Sequence, residues 1–555
     1  MLTLKNIFVF SETSPLLFSQ YLFVFIFTIM YGIYAAIHNR LNLRSFYLIC
    51  FGVFFYYRTG GWFFSLLVLS TIYDFYLANA IHNSKSKARR MVFLIISLVI
   101  NLGLLAFFKY TYYFAGIAND LFGTHFQPQN IFYIASNNLF GTYLDINKIV
   151  LPVGISFFTF QTLSYTIDVY TKRIEPAKNI LDFGFFVTYF PQLIAGPIVR
   201  AIDFIPQISK KFSLTEREFG HAIFLIMGGF IKKAVISDYI SINFVDRVFD
   251  DPQLYSGFDN LMAVYGYAIQ IYCDFSGYSD MAIGVSLLLG FRLPLNFNSP
   301  YVSLSITEFW RRWHISLSTW LKDYLYISLG GNRKSSFGTW LFSGIFFVVV
   351  SYWYFHEFAL YWAVLMTIGT LLLFFHPLIT QRNKAGATTN LNLMVTMLIG
   401  GFWHGAANKF IIWGALHGIG LAIHKAWLSY VPWAGKENSK IYNLIAGIVT
   451  FHFVCFCWIY FRADDVPTVK TMLDRILHNF SFADLVLKTQ SYWKVFTFIL
   501  VGYALHFIPR VYKLLLEEKF SMFPLVLKVG VVAFIIVVVY QIASSEVQPF
   551  IYFQF

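Results

Sequence analysis

The segment FWRRWHISLSTW (309–320) places one histidine and two arginines among three tryptophans. A neutral imidazole accepts a proton near neutral pH, so His314 is a candidate general base. On a helix its ring would lie beside an apolar stripe, where burial disfavours the imidazolium. The alternative is a core histidine that is satisfied by one hydrogen bond.

Residues 308–324 predict a single amphipathic helix at a membrane interface or along a wet cavity. Glu308 and Arg312 are spaced for an ion pair between successive turns. The expected apolar stripe comprises Trp310, Trp313, Leu317, Trp320, Leu321 and Tyr324.

A second histidine, His404, lies in GGFWHGAANKFIIWGALHG (400–418). An ionisable group at membrane depth is costly and indicates a functional site. The neighbouring glycines favour a broken helix. His417 is also flanked by small residues, and on a continuous helix it would face away from His404.

Other polar side chains interrupt two apolar segments, 152–170 and 272–284. Hydrogen bonding between helices explains any single one of them, but together they suggest a polar cavity. We find no nucleophile elbow, phosphate-binding loop or metal-binding signature. The residues therefore favour direct, base-assisted transfer without a metal over a covalent serine mechanism.

The elements that carry these residues are membrane-spanning helices. The 555-residue chain is 58% hydrophobic and only 12% charged, about half the charge of a soluble domain. A hydropathy window indicates roughly a dozen spans, several of them too short to cross alone. Segments 46–57 and 391–403 are expected to be re-entrant or buried behind other helices. The candidate cores are 17–37, 46–57, 62–80, 91–114, 149–170, 181–198, 218–238, 259–290, 337–356, 358–376, 391–403, 410–427, 441–461, 491–508 and 523–543.

The formal charge of +13 reflects basic residues between the spans. This pattern favours contact with anionic lipid over nucleic acid. Loops 38–45, 81–90 and 171–178 are expected in the cytoplasm, which places the N-terminus outside. No cleavable signal peptide is evident.

Nine ordered blocks resemble the membrane-bound O-acyltransferases, in particular the bacterial alginate O-acetyltransferase branch and its D-alanyl-lipoteichoic acid relative. The blocks are LPVGISFFTFQTLSYTIDVY, YFPQLIAGPIVR, YCDFSGYSDMAIG, FNSPY, FWRRWHISLSTWLKDYLYISLGGNR, GFWHGA, WGALHG, YFRADD and FIYFQF.

The resemblance implies an all-α ring of helices around a thin central pore, in a bacterial inner membrane. It implies that His314 and His404 are the catalytic histidines, and that an acceptor hydroxyl attacks the acyl thioester directly. Acetyl-CoA is the expected donor, with no other cofactor. The acceptor is a polysaccharide or a periplasmic partner of the SGNH-hydrolase type. Alginate, cellulose and cell-wall polymers are all compatible.

Two further sets of residues are candidates for substrate contacts. Those that line the substrate tunnel are Asp274, Ser276, Tyr278, Ser279, Trp310, Trp313, Trp403, Gln161 and His417. Those that hold the CoA phosphates, or alternatively lipid headgroups, are Arg311, Arg312, Lys322, Arg333 and Lys334.

We interpret residues 1–555 as one membrane domain with a catalytic core at about 150–465. The two histidines are further apart in sequence than is usual for this branch, which suggests an added helical hairpin at about 337–390. A hairpin preserves the sidedness of His404, whereas a single added span would invert it. Two other functions also fit buried polar residues: a transporter or flippase, and a non-catalytic docking subunit of a glycan-modification complex.

Overall fold

A computed structural model describes residues 7–11, 15–357, 364, 384–431 and 439–542, which form helices, turns and loops without a strand. The principal helices are Tyr21–Ile37, Leu41–Gly60, Phe64–Asn83, Lys87–Phe122, Ile131–Phe140, Ile155–Tyr170, Ile180–Thr188, Phe190–Leu193, Ala201–Ile208, Glu216–Phe230, Asp246–Asp250, Gly257–Leu288, Ile306–Arg312, Ile315–Trp320, Phe337–Glu357, Lys384–His404, Asn408–Tyr430, Lys440–Arg462, Val466–His478, Phe482–Ser491, Trp493–Phe507, Arg510–Ser521 and Leu525–Ile542.

Several helices are long and apolar enough to cross a membrane, which confirms the all-α membrane class. Within the described residues, four continuous helical stretches meet that criterion: Leu41–Asn83, Lys87–Phe122, Glu216–Asp250 and Lys440–Arg462. A fifth span would be the pair Trp493–Phe507 and Arg510–Ser521, which is bent by 93°. The total of about a dozen spans stays a prediction.

The chain divides into two compact units. The first comprises Met1–Tyr239, Ile271–Leu295 and Ile508–Phe555, and the second comprises Ile240–Gln270 and Asn296–Phe507. The interpretation as one membrane domain stays a prediction.

The first unit contains the helix Ile155–Tyr170, whose side chains are almost all buried. It begins after Gly154, whose φ is 72° and whose missing Cβ would lie 2.7 Å from the carbonyl oxygen of Leu193. The predicted core 181–198 is not one helix. It forms Ile180–Thr188 and Phe190–Leu193, because Pro191 lacks an N–H and starts a new helix instead of continuing the previous one.

The helical stretch Glu216–Asp250 begins with a capping box, in which the side chains of Thr215 and Glu218 bond to each other's backbone N–H groups. Beyond Phe230 it widens into a π-helical turn at Ile231–Ser237. Such turns rotate side chains away from the α-helical positions and often mark functional sites.

In the second unit the predicted single helix 308–324 is wrong, because the chain breaks at Trp313 and His314. Ile306–Arg312 ends there, and Ile315–Trp320 begins with His314 in a left-handed conformation with φ 43°. The break has a local cause. The backbone N–H of Ile315 donates to the carbonyl oxygen of Asn296 at 2.9 Å instead of to a helical carbonyl.

The ion pair predicted between Glu308 and Arg312 is confirmed, with 2.8 Å between Arg312 Nη2 and Glu308 Oε1. The pair lies within Ile306–Arg312, before the break, so helical spacing still applies there.

Lys384–His404 and Asn408–Tyr430 pack along each other in the second unit. The predicted core 391–403 belongs to the first of these helices and is largely buried. Of the two alternatives for this segment, re-entrant or buried, the structure agrees with burial. The helix begins inside the segment assigned to the added hairpin, and residues 358–363 and 365–383 lie outside the described residues. The break expected near the glycines is confirmed, since residues 405–407 separate the helices.

Gly401 makes the close approach of these helices possible, because a Cβ there would overlap the carbonyl oxygen of Phe410. We expect Gly401→Ala to lower the free energy of unfolding by about 1–3 kcal/mol through overpacking. Denaturation of the purified, detergent-solubilised chain measures this change. The matched control is Gly344→Ala, in Phe337–Glu357, where no atom lies within 4 Å of the added Cβ. It should be neutral or stabilising by about 0.5–1 kcal/mol. Equal losses in both variants would contradict the explanation.

Candidate active site

His314 is completely buried and is held by Asn296. Its Nδ1 lies 3.2 Å from the side-chain oxygen of Asn296, and that oxygen also accepts from the backbone N–H of Ser316. Because a backbone N–H only donates, the second bond fixes the orientation of the amide. The Asn296 oxygen must then accept from His314 Nδ1–H, which assigns the ring lone pair to Nε2.

The environment of His314 also favours its neutral form. His314 lies outside the helices that are long and apolar enough to span a membrane. Burial lowers the pKa of the imidazole to about 3, because the charged form loses its hydration. This direction agrees with the expectation from the sequence.

His404 is the last residue of Lys384–His404 and is nearly buried, with 4% of its surface exposed. Aromatic rings surround it. The ring of Trp403 lies 4.9 Å away between centroids, that of Trp413 at 5.1 Å and that of Phe461 at 5.2 Å. All three meet it edge-on, a favoured geometry for aromatic pairs.

Three rings in contact, which we call the tryptophan cluster, lie between the segments that carry the two histidines: Trp313, Trp413 and Trp458. Trp458 lies 5.0 Å from Trp313 and 6.1 Å from Trp413. His404 contacts the cluster at Trp413, and His314 follows the cluster residue Trp313 in the sequence. A chain of ring contacts therefore leads from His404 to Trp313, the residue that precedes His314 in the sequence.

His417 contacts the same cluster, with its ring 4.6 Å from that of Trp413. His404 and His417 would face apart on one continuous helix, but the helix is broken between them. The break at 405–407 returns His404 to the ring of Trp413. Trp310 also joins this group, 5.8 Å from Trp413.

The predicted polar residues of 272–284 lie in the first unit, where lysines neutralise two carboxylates. Lys233 Nζ is 2.5 Å from Asp274 and 2.8 Å from Asp238. Lys232 Nζ is 2.5 Å from Asp280 and 2.9 Å from the hydroxyl of Ser276. Tyr278 and Ser279 are buried on the same helix.

Gln161 makes a different contact, since its amide donates to the carbonyl oxygen of Phe186 at 2.8 Å.

Sequence reasoning missed three residues of these sites. Lys232 and Lys233 lie inside the apolar segment 218–238, and adjacent lysines at that depth are themselves a signal. Asn296 lies one residue before the FNSPY block and carries no comparable signal, because only the fold brings it to His314.

The residues proposed to hold the CoA phosphates are in the second unit, and they differ in whether their charged groups are exposed or already paired. Arg311, Lys322, Arg333 and Lys334 are exposed, whereas Arg312 is paired with Glu308. The loop that carries Arg333 and Lys334 is fixed by the buried Asn392, whose amide donates to the carbonyl oxygens of Gly331 at 2.9 Å and Lys334 at 3.0 Å. Asn392 belongs to Lys384–His404, so one helix anchors the basic loop and ends in His404.

Comparison with known proteins identifies the family. Residues 172–392 match the family model of the membrane-bound O-acyltransferases. A peptidoglycan O-acetyltransferase of Helicobacter pylori is 33% identical over 488 residues, 82% of this chain and 79% of that protein. The chain belongs to the membrane-bound O-acyltransferase family.

Further relatives lie in the branch indicated by the sequence blocks. A probable alginate O-acetylase of Pseudomonas aeruginosa is 34% identical to this acyltransferase over 469 residues, 84% of this chain and 75% of that protein. A teichoic acid D-alanyltransferase of Bacillus subtilis is 27% identical over 322 residues, 56% of this chain and 68% of that protein. The protein is therefore a multi-pass membrane O-acyltransferase.

The buried lysine of the acyltransferase's first unit provides a test of stability. We expect Lys233→Met to lower the free energy of unfolding by about 3–5 kcal/mol, because it leaves two buried carboxylates without their cation. Denaturation of the purified chain measures the loss. Lys211→Met, the same substitution at an exposed lysine of the first unit, should change the free energy by less than about 0.5 kcal/mol. Similar effects of the two substitutions would show that the buried ion pairs do not stabilise the fold.

Proposed function

We propose that this acyltransferase moves an acetyl group from cytoplasmic acetyl-CoA to an extracytoplasmic hydroxyl. The hydroxyl belongs to a polysaccharide, or to a periplasmic partner of the SGNH-hydrolase type that passes the group on. The names of the relatives support acetyl transfer to a cell-surface polymer. The protein would lie in the bacterial inner membrane with its N-terminus outside.

The observation that carries the proposal is the tryptophan cluster, which contacts His404 at Trp413 and includes Trp313, the residue before the buried His314. A burial this complete is costly for two ionisable side chains and is typical of a reaction centre. The surrounding rings exclude water, which would otherwise compete with the acceptor hydroxyl for the thioester.

In the proposed reaction, one imidazole removes the proton of the acceptor hydroxyl as its oxygen attacks the thioester carbonyl. The new C–O bond forms, and the carbonyl π electrons move to its oxygen. When they return, the C–S bond breaks, and the thiolate takes the proton from the imidazolium. No acyl-enzyme is formed, and the imidazole is regenerated neutral.

Asn296 supports a base role for His314. The bond to Nδ1–H holds the ring in one tautomer and orients Nε2, the nitrogen able to take a proton. Asn296 is therefore a positioning residue. His404 is the second catalytic imidazole, with no separate role assigned to it.

The basic loop supports the assignment of a phosphate-bearing donor. Arg333 and Lys334 stand exposed on a backbone that Asn392 fixes to the helix of His404. Arg311 and Lys322 add positive charge elsewhere in the second unit. Coenzyme A is large and anionic, so moving only the acetyl group spares the donor from crossing the bilayer.

We expect His314→Ala and His404→Ala each to lower the rate of acetyl transfer by about 10²–10⁴-fold, the contribution of a positioned proton acceptor or donor. CoA release and polymer O-acetylation by the purified, reconstituted chain measure the rate. His478→Ala, at an exposed histidine of the second unit, controls for loss of an imidazole. Full activity of both variants would refute the proposal, provided that they insert into the membrane as the parent does.

The role of Asn296 predicts a shift in the pH profile of transfer. Asn296→Asp places a carboxylate at His314 Nδ1–H, which stabilises the imidazolium and raises the pKa of the ring by about 1–3 units. Because the base acts when neutral, the acid limb of the rate profile should move to higher pH. Asn298→Asp adds the same charge two residues away and should shift the limb less. Equal shifts in the two variants would argue against a specific bond to His314.

A further inference from the structure

His417 is a completely buried histidine with no assigned partner. None of its surface is exposed, and neither ring nitrogen has a hydrogen-bond partner within the described part of the chain. An imidazole in apolar surroundings loses its hydration, and an unmade hydrogen bond leaves that cost uncompensated. A phenylalanine would fill such a position at less cost, so packing alone does not explain a histidine here.

Two neighbouring tryptophans share this property. The rings of Trp413 and Trp310 lie 4.6 Å and 5.1 Å from that of His417. Their indole Nε1 atoms are buried and likewise lack a hydrogen-bond partner among the described residues. Buried tryptophans usually find a partner for this N–H. We call His417, Trp310 and Trp413 the His417 cluster.

The hydrogen-bonding capacity of the His417 cluster defines the chemistry of a ligand. A neutral imidazole offers one donor and one acceptor, and each indole offers one donor. The cluster thus offers three donors and one acceptor. A complementary ligand is uncharged, accepts hydrogen bonds from at least two of the three donors and donates one. Phe309, which stacks on His417 at 8°, and Phe453 complete an apolar surround that disfavours a charged group.

A secondary amide meets these requirements. Its carbonyl oxygen accepts two hydrogen bonds, and its N–H donates one. Its donor and acceptor are separate atoms, which suits nitrogens carried by different rings, and its planar shape suits contact with aromatic faces. A hydroxyl has the same capacity, but all of it is on a single oxygen.

We infer that the His417 cluster binds a neutral secondary amide of a substrate. The inference rests on the proposed function for the source of the amide, which is either the pantetheine arm of the thioester donor or the acetamido group of an N-acetylated sugar acceptor. Trp413 contacts both His417 and His404, so an amide bound there is positioned one ring away from the proposed reaction centre.

The test measures binding without turnover, using the purified full chain. Pantetheine and N-acetylglucosamine are titrated separately, and binding is followed by tryptophan fluorescence and by the rise in Tm. The parent should bind at least one of them, and the one that binds identifies the source. His417→Phe should weaken that binding by about tenfold or more, since it removes the hydrogen bonds and keeps the ring.

Two further variants separate binding from folding. His417→Gln retains a donor and an acceptor and should bind within about threefold of the parent. His424→Phe makes the same ring substitution two turns along the same helix, at a histidine bonded to Thr307, and should bind as the parent does. If His417→Phe is unstable without ligand, Trp310→Phe replaces it and should also weaken binding.

Two outcomes would overturn the inference: neither amide binds the parent, or each binds His417→Phe as tightly as the parent. The proposed function is tested separately by CoA release from acetyl-CoA. Amide binding that is lost in His417→Phe, in a chain that releases no CoA, would contradict the proposed function and support the amide site. CoA release with amide binding unaffected by His417→Phe would contradict the amide site alone.

Discussion

The bonds from Asn296 to the segment around His314 are the constraint on which the histidine site depends. The main-chain carbonyl of Asn296 takes the N–H of Ile315, and its side-chain oxygen takes the N–H of Ser316 and the Nδ1–H of His314. One residue thereby ends a helix, directs an imidazole and selects its tautomer. In a buried ring without such a partner, no hydrogen bond would select between the two tautomers or fix the direction of the lone pair.

In the first unit, buried polar groups are satisfied by ion pairs between lysines and aspartates. Lys233 lies between two buried carboxylates, and Lys232 bonds to a third, so no carboxylate of this group faces apolar surroundings without a cation. Such clusters are costly to bury and specific in geometry. Both lysines belong to the π-helical turn, and their side chains diverge to different carboxylates, Asp280 for Lys232 and Asp274 for Lys233. The cluster therefore fixes the register of the turn as much as it neutralises charge.

The sequence predicted those features that depend on neighbours along the chain. The Glu308–Arg312 pair, the polar positions of Gly257–Leu288 and the break after His404 all follow from local spacing and composition. The prediction from sequence failed where a segment distant in sequence accepts hydrogen bonds from the backbone N–H groups of a helix. Periodicity predicts one helix over 308–324, but Asn296 takes the N–H groups that would continue it. The spacing of His404 and His417 along the sequence likewise did not predict that both would contact Trp413.

Both catalytic candidates stand at helix ends, and this position has a physical reason. A residue inside a helix has its backbone groups satisfied and its side chain confined to one face, whereas a terminal residue can direct its ring along the axis. The cost is a set of unpaired backbone groups, which apolar surroundings make severe. At His314 the oxygens of Asn296 meet that cost. After His404 the chain restarts within three residues, and the backbone N–H of Phe410 donates to the carbonyl oxygen of Ala407 at 3.1 Å. At each break, protein groups thus satisfy some of the backbone groups that the helix ends leave unpaired. Substituting those supports should disturb the histidines without removing them, and for this reason the supporting residues, Asn296 above all, belong to the site.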